Sequence, residues 1–191
     1  MAEISYIGRS DLPRGLRNNN PGNLKAEEDW QGQIGIDGPF LIFQTLPWGT
    51  RALATDLANK MKRGLVTIRQ IITTYAPPIE NKTGAYIQSM VDDTGFTADQ
   101  VLPMNTDTLA RLIRAIVNHE EGETASYDYV SDADIAQGIS MMNNSLATLF
   151  KAAGVALMAT VEDPAGNIQW GKILVIVALV GGGIYFWRKI N

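Results

Sequence analysis

The stretch DTLARLIRAIVNHEEG, residues 107–122, carries a strong helical pattern in this 191-residue chain. Its apolar residues recur every three or four positions, which is the spacing of one face of an α-helix. These residues are Leu109, Leu112, Ile113 and Ile116. Glu120 falls on the same face one turn later, and Gly122 is a typical residue after a helix end. The pattern predicts a packed helix whose buried face ends in a carboxylate, with Glu121 on a neighbouring edge.

The predicted position of Glu120 favours the uncharged form of its side chain for two reasons. Burial disfavours a charge, and the negative end of the helix dipole lies at the last turn. A carboxylic acid that keeps its proton is what acid-catalysed cleavage of a glycosidic bond requires. A half-exposed glutamate with no special role is the alternative that this pattern leaves open.

The composition of the chain excludes several kinds of catalytic site. There is no cysteine, and His119 is the single histidine. A zinc site usually needs at least two His or Cys ligands, and the Gly-x-Ser-x-Gly motif of many serine hydrolases is absent. We therefore expect carboxylate chemistry with no metal and no cofactor. The net charge of −4 also argues against nucleic acid as a partner.

The remainder of the chain predicts a mainly α-helical fold. Residues 14–50 are rich in Gly, Asn and Pro, which indicates loops with short strands near 33–36 and 40–43. Apolar periodicity and capping residues predict several further helices. These helices cover about residues 46–62, 67–75, 85–94 and 131–142. The fold expected is α-rich, with a small loop and β region near the N-terminus.

Two polar clusters flank this helical region. The stretch RNNNPGNLK, residues 17–25, offers turn conformations and exposed amides, so it either lines a cleft or forms a structured loop. The stretch YAPPIENKTGAY, residues 75–86, places Tyr75 and Tyr86 beside the amide of Asn81. Aromatic faces beside amides suit sugar rings, although a helix–loop–helix corner with packed tyrosines is the alternative.

The C-terminal region has a different composition. Residues 173–187 carry no charge, and tryptophans stand at positions 170 and 187. A helix from 170 to 187 would cover about 27 Å, close to the hydrocarbon thickness of a bilayer. We predict an apolar helix and linker at 143–169 and one transmembrane helix at 170–191, with a buried core helix as the alternative. No apolar run of signal-peptide length stands at the N-terminus, so we expect another delivery route.

The polar clusters and the helix 107–122 together resemble a family of proteins that phages and prophages carry in their virions. The resemblance covers about residues 14–140. Its motifs here are RGLRNNNPGN at 14–23, WQG at 30–32, FLIF at 40–43, GTRA at 49–52, YAPPIENKTGAY at 75–86 and AIVNHEEG at 115–122. Members of this family are often described only as structural proteins.

The segment AIVNHEEG is also similar to the catalytic-helix motif of soluble lytic transglycosylases, in which an alanine–isoleucine pair precedes Glu-Ser-Gly. On this resemblance Glu120 takes the position of the catalytic glutamate and Glu121 that of the serine. Residues 19–25 are similar to an Asn-x-x-Gly-(Ile/Leu)-Lys stretch of bacterial glucosaminidases, which there follows the catalytic glutamate. A circularly permuted lysozyme-like fold would explain the inverted order.

The resemblance implies a lysozyme-like, peptidoglycan-cleaving domain at 14–142, after an N-terminal lead-in at 1–13. It implies a virion-associated lytic transglycosylase that cuts the bond between N-acetylmuramic acid and N-acetylglucosamine as the phage enters its host. Glu120 would be catalytic. The residues expected to contact sugar are Asn23, Tyr75, Asn81 and Tyr86. For a lysozyme outcome, Glu80 and Asp134 are candidates for a second carboxylate.

The expected partners are peptidoglycan glycan strands, a lipid membrane reached by the single C-terminal span, and other virion proteins. The protein would then be anchored in the virion membrane and act on the periplasmic cell wall of the host. The alternative function is a membrane-anchored virion structural protein that retains the lysozyme-like fold without catalysis.

Overall fold

The computed structural model describes residues 4–77 and 82–142 of the chain. These residues are mainly helical, with a two-stranded sheet near the N-terminus. The elements are α1 (Arg14–Arg17), β1 (Gln33–Asp37), β2 (Phe40–Phe43), α2 (Leu46–Lys62), α3 (Ile68–Tyr75), α4 (Thr83–Thr94), α5 (Thr106–Glu121), α6 (Glu123–Tyr129) and α7 (Asp132–Ser140).

The predicted fold class is corrected in one respect, because it included a transmembrane helix. In the part of the chain that the structure describes, no helix combines the length and the apolar character needed to cross a membrane. For the described residues, the fold class that the structure supports is therefore mainly helical with a small sheet. The segments predicted at 143–169 and 170–191 lie outside the described residues.

Local sequence signals set the ends of the helices. The side chain of Asn105 accepts a hydrogen bond from the Thr108 backbone nitrogen at the start of α5. The helix stops at Gly122, whose φ of +83° is a conformation that glycine adopts at little cost. Thr67 and Ser131 form capping boxes at the starts of α3 and α7. These caps satisfy backbone donors that have no partner within their helix.

The core lies around α2, which packs against α5, α7 and α3. Helices α2, α3 and α5 contribute fully buried aliphatic side chains, and α7 contributes the buried Ile135 and Ile139. Examples are Leu53 and Leu57 of α2, Ile71 and Ile72 of α3, and Leu112, Ile113 and Ile116 of α5. A Cβ atom at Gly138 would lie 2.7 Å from Thr50, so α7 and α2 approach too closely for a larger residue there. Burial of this apolar surface is the main stabilising contribution to the fold.

The loop between α1 and β1 is a structured loop whose asparagines hold the sheet. The Asn19 amide donates to the Phe43 carbonyl over 3.0 Å. The Asn20 amide donates to the carbonyls of Leu24 and Leu41 over 2.9 and 3.0 Å. Both asparagines are fully buried. The sequence left open whether residues 17–25 line a cleft or form a structured loop, and residues 18–20 form a structured loop. The loop fixes the position of the residues that follow it.

The N-terminal lead-in is tied to the rest of the fold. The Tyr6 hydroxyl donates to the Tyr129 carbonyl over 2.8 Å, and the Tyr6 backbone nitrogen donates to the side chain of Asn19. Leu12 is buried in the core. Residues 4–13 therefore pack against the same body as the described residues that follow them.

Candidate active site

A groove of about 680 Å³ lies beside the C-terminal end of α5. Its volume falls within the range of about 300–1,000 Å³ that is usual for small-molecule sites. Glu120 lines the groove from α5, and the other walls come from α2, α3, the start of β2 and the loop before β1. Six of these wall residues are Asn23, Trp30, Phe40, Asp56, Lys60 and Tyr75. Aromatic rings and charged groups thus share one cleft.

Glu120 is half-buried, and both of its carboxylate oxygens accept hydrogen bonds. Its Oε2 accepts from the Asn23 amide over 3.1 Å, and its Oε1 accepts from the Tyr86 hydroxyl over 3.0 Å. The three residues come from α5, α4 and the loop after α1. The fold therefore brings together three of the five residues that the sequence analysis singled out and fixes the orientation of the carboxyl group.

Tyr86 is a buried member of this cluster, with an exposed fraction of 2%. One face of its ring stacks on His119 with centroids 3.6 Å apart, and the ring packs against the edge of Tyr75. Burial raises the pKa of the Tyr86 hydroxyl well above its ordinary value, and the nearby Tyr75 and Glu120 raise it further. The hydroxyl stays protonated and faces Glu120, while the ring is covered by protein.

Tyr75 is half-buried and lines the groove directly. Its hydroxyl donates to the carbonyl of Gly22, and a Cβ atom at Gly22 would lie 2.7 Å from that hydroxyl oxygen. Burial, followed by the charges of Glu120, Asp56 and Glu121, raises the pKa of Tyr75 well above its ordinary value. The hydrogen bond from Tyr75 therefore holds the loop in place at the residue immediately before Asn23. The fifth predicted residue, Asn81, lies outside the described residues, as does Glu80.

The prediction that Glu120 lies on the buried face, with Glu121 at its edge, is wrong for this pair. Glu121 is the buried carboxyl, with an exposed fraction of 7%. The reason is tertiary, because α1 packs against the last turn of α5 and the Leu16 backbone N–H hydrogen-bonds the Glu121 carboxyl. Burial raises the pKa of Glu121 to about 8, and the Glu120 charge adds to this effect.

An ion pair between α2 residues forms another wall of the groove, which sequence reasoning missed. Lys60 Nζ lies 2.6 Å from Asp56 Oδ2, and 5.6 Å from the centre of the Tyr75 ring. Both side chains are largely buried. The spacing of four residues was the available signal, because it places both charges on one helix face.

Asp134 does not line the groove. Its carboxylate instead accepts from the backbone and side chain of Ser131, over 2.8 and 2.6 Å, at the start of α7. Its described contacts are therefore those of a helix cap. Among residues 4–77 and 82–142, no group of three or more His, Asp or Glu side chains could hold a metal ion.

No protein-family model matches the chain. A stretch of 129 residues is 36% identical to Protein P5 of Pseudoalteromonas phage PM2, and this alignment covers 63% of the chain and 79% of that phage protein. The relative is thus similar over most of its own length.

Proposed function

The chain belongs to the family of Protein P5 of Pseudoalteromonas phage PM2, and we propose that it is a virion-associated lytic transglycosylase. Its substrate would be the bond between N-acetylmuramic acid and N-acetylglucosamine in peptidoglycan. The observation that carries the proposal is the Glu120 carboxyl, which lines a groove of suitable size and is held by two hydrogen-bond donors. The protein would act on the host cell wall during infection.

The reaction needs one carboxyl group that acts first as an acid and then as a base. Glu120 transfers its proton to the glycosidic oxygen, and the bond from that oxygen to C1 of the muramoyl sugar breaks. The Glu120 carboxylate then accepts the proton of the muramoyl 6-hydroxyl, whose oxygen bonds to C1. The product is a 1,6-anhydro sugar, no water is consumed, and Glu120 ends as it began.

The partners of Glu120 suit both of its protonation states. A tyrosine hydroxyl can donate to a carboxylate or accept from a carboxylic acid, so Tyr86 can hold Oε1 before and after proton transfer. The Asn23 amide nitrogen can only donate, and it holds Oε2 as an acceptor. A proton on Oε1 would then be transferred to the glycosidic oxygen from a carboxyl group whose orientation is fixed.

The groove walls suit a glycan strand. Trp30, Phe40 and Tyr75 offer aromatic surface for the apolar faces of sugar rings. Charged side chains at the same walls, such as Lys60 and Glu27, offer hydrogen bonds to hydroxyl and amide groups. This combination of aromatic and polar groups is typical of sites that bind sugars.

The contact between Asn23 and Glu120 also supports a circularly permuted lysozyme-like fold. The stretch around Asn23 is similar to a glucosaminidase stretch that follows the catalytic glutamate in sequence. Here it precedes Glu120 by 97 residues and yet hydrogen-bonds to it. A permutation changes the order of segments along the chain while it keeps such contacts in space.

The proposal is tested by digesting purified peptidoglycan with the full-length protein and analysing the products by mass spectrometry. We expect wild-type protein to release muropeptides with 1,6-anhydro ends and Glu120→Gln to release none. Glu123→Gln is the matched control, because Glu123 is exposed on the adjacent helix α6. Hydrated reducing ends would instead show a lysozyme, and a folded but inactive wild-type protein would favour the non-catalytic structural role.

A further inference from the structure

The Asn23 amide nitrogen contacts two neighbouring carboxyl groups. It donates to Glu120 Oε2 over 3.1 Å and to Glu121 Oε1 over 3.3 Å. Resting on the proposed function of Glu120, we propose that Glu121 is a positioning residue that holds the Asn23 side chain in place, so that Asn23 orients the catalytic carboxyl. Glu121 itself does not line the groove.

Glu121 is a fixed acceptor because α1 encloses its carboxyl group. A Cβ atom at Gly15 would lie only 1.8 Å from Glu121 Oε1, so only glycine allows this approach. The Leu16 backbone N–H bonds the same carboxyl group. The Glu121 side chain therefore has little freedom to move, and the Asn23 amide that it binds is held with it.

The orientation of the Asn23 side chain depends on these carboxyl groups. In the described part of the chain, the hydrogen bonds of its side-chain amide go to Glu120 and Glu121. The backbone of Asn23 is fixed separately, by its N–H bond to the Asn20 carbonyl over 2.9 Å and by a φ of +48°. The backbone thus sets where Asn23 stands, and Glu121 sets where its amide points.

The charge state of Glu121 fits this role. With a pKa raised to about 8 by burial, Glu121 is mostly uncharged at neutral pH. The titratable groups that act on it are Glu120 on its own helix and Tyr75 on α3, while α1 contributes only the Leu16 N–H. An uncharged Glu121 is a weaker acceptor than a carboxylate, so it leaves the Asn23 amide its second hydrogen bond, to Glu120. Once ionised, Glu121 would compete for the same amide.

The test is a double-mutant cycle on the full-length protein. Glu121→Met removes the acceptor and keeps the bulk at the cost of the hydrogen bond from the Leu16 backbone N–H, and the thermal unfolding of this variant shows whether the fold tolerates that loss. Asn23→Gly removes the side chain and tolerates a positive φ. We expect each single variant to lower kcat by about tenfold with little change in KM. The double variant should be no worse than Asn23→Gly, and Glu121→Gln should restore most of the activity.

Two further measurements keep the inference separable from the proposed function and from misfolding. Thermal unfolding shows whether each variant is folded. Carbon-13 NMR of labelled glutamate side chains follows the titration of Glu121, and the Asn23 side-chain amide should shift with the same midpoint in wild type but not in Glu121→Gln. This readout stands even if the wild type proves inactive. The inference would be overturned if the losses in kcat of the two single variants multiplied in the double variant. It would also be overturned if the Asn23 amide signal did not change as Glu121 titrates.

Discussion

The side-chain nitrogen of Asn23 donates to Oε2 of Glu120 over 3.1 Å, although the two residues are 97 positions apart in the chain. Tyr86, from a third segment, donates to the other oxygen of the same carboxyl. The site is therefore assembled by tertiary contacts. Each donor can be removed by one substitution that leaves the rest of the fold in place. This separation allows the contribution of each donor to catalysis to be measured apart from stability.

Tyr86→Phe removes one donor to Glu120 and keeps the ring that stacks on His119. In the proposed reaction Glu120 becomes charged as it gives up its proton, and a hydrogen bond to a charged group contributes about 1.5–3 kcal/mol, which corresponds to a loss in kcat of roughly 10–100-fold. Steady-state kinetics on soluble glycan strands measures this loss. Tyr6→Phe is the matched control, because its hydroxyl also bonds a protein acceptor but lies away from the groove. Equal kcat values in the two variants would contradict the role of Tyr86.

The stability of the protein should depend on pH through Glu121. Its pKa rises from an ordinary value of 4.5 to about 8 in the folded state. The folded protein thus retains a proton that the unfolded chain releases above pH 4.5. The resulting stabilisation is fully present below the unfolded value and is lost as the pH rises towards about 8, at a slope on the order of 1 kcal/mol per pH unit.

Urea unfolding between about pH 5 and pH 8 measures this slope. Glu121→Gln should remove the Glu121 contribution because a Gln side chain does not titrate, and it should leave the opposite contribution of His119, whose pKa burial lowers. Glu123→Gln removes an exposed carboxyl from the neighbouring helix and should leave the slope unchanged. If the stability of wild type and of Glu121→Gln fell with the same slope as the pH rises, Glu121 would not be the group responsible.

Local sequence signals account for much of the helical structure. The apolar pattern at 107–122 predicts a helix that the structure places at Thr106–Glu121, and the predicted helix at 46–62 corresponds to α2, Leu46–Lys62. Periodicity and caps are properties of short stretches, so a single sequence reveals them. These signals also indicated short strands where β1 and β2 lie.

The site required information that no short stretch contains. Helical spacing put Glu120 on the apolar face, but α1 covers the last turn of α5 and buries Glu121 instead. The four-residue spacing of Asp56 and Lys60 predicts an ion pair on one face of α2. The spacing does not show that this face borders a groove. Contacts between segments that are far apart in the chain decide these points.

Trp30→Ala should weaken glycan binding more than it slows the chemical step. Trp30 lines the groove and is half-buried, so its ring is available to a sugar face. Aromatic contacts of this kind contribute about 0.5–1.5 kcal/mol beyond the area they bury, which predicts a several-fold rise in KM with a smaller change in kcat. Tyr127→Ala, an exposed aromatic residue outside the groove lining, is the control. A fall in kcat at constant KM would argue against a binding role.

The glycine of the motif GTRA, Gly49, should be needed for a close contact between α2 and the asparagine loop. A Cβ atom at Gly49 would lie 1.8 Å from the Asn19 carbonyl oxygen, which is backbone and cannot swing aside. Gly49→Ala should therefore destabilise the fold by about 1–3 kcal/mol, as expected for overpacking. The same substitution at Gly84 in α4 meets nothing within 4 Å and should be neutral or stabilise by about 0.5–1 kcal/mol.

Urea unfolding of the two variants compares one chemical change in two helices. Because Asn19 and Asn20 lead directly to Asn23, strain at Gly49 should also reach the groove and lower kcat below the level of Gly84→Ala. Opposite signs in stability would show that a tertiary contact, and not helix propensity, requires glycine at position 49. If both variants gained stability, the close approach of α2 to the loop that carries Asn23 would be wrong, and with it the basis for the position of Asn23 beside Glu120.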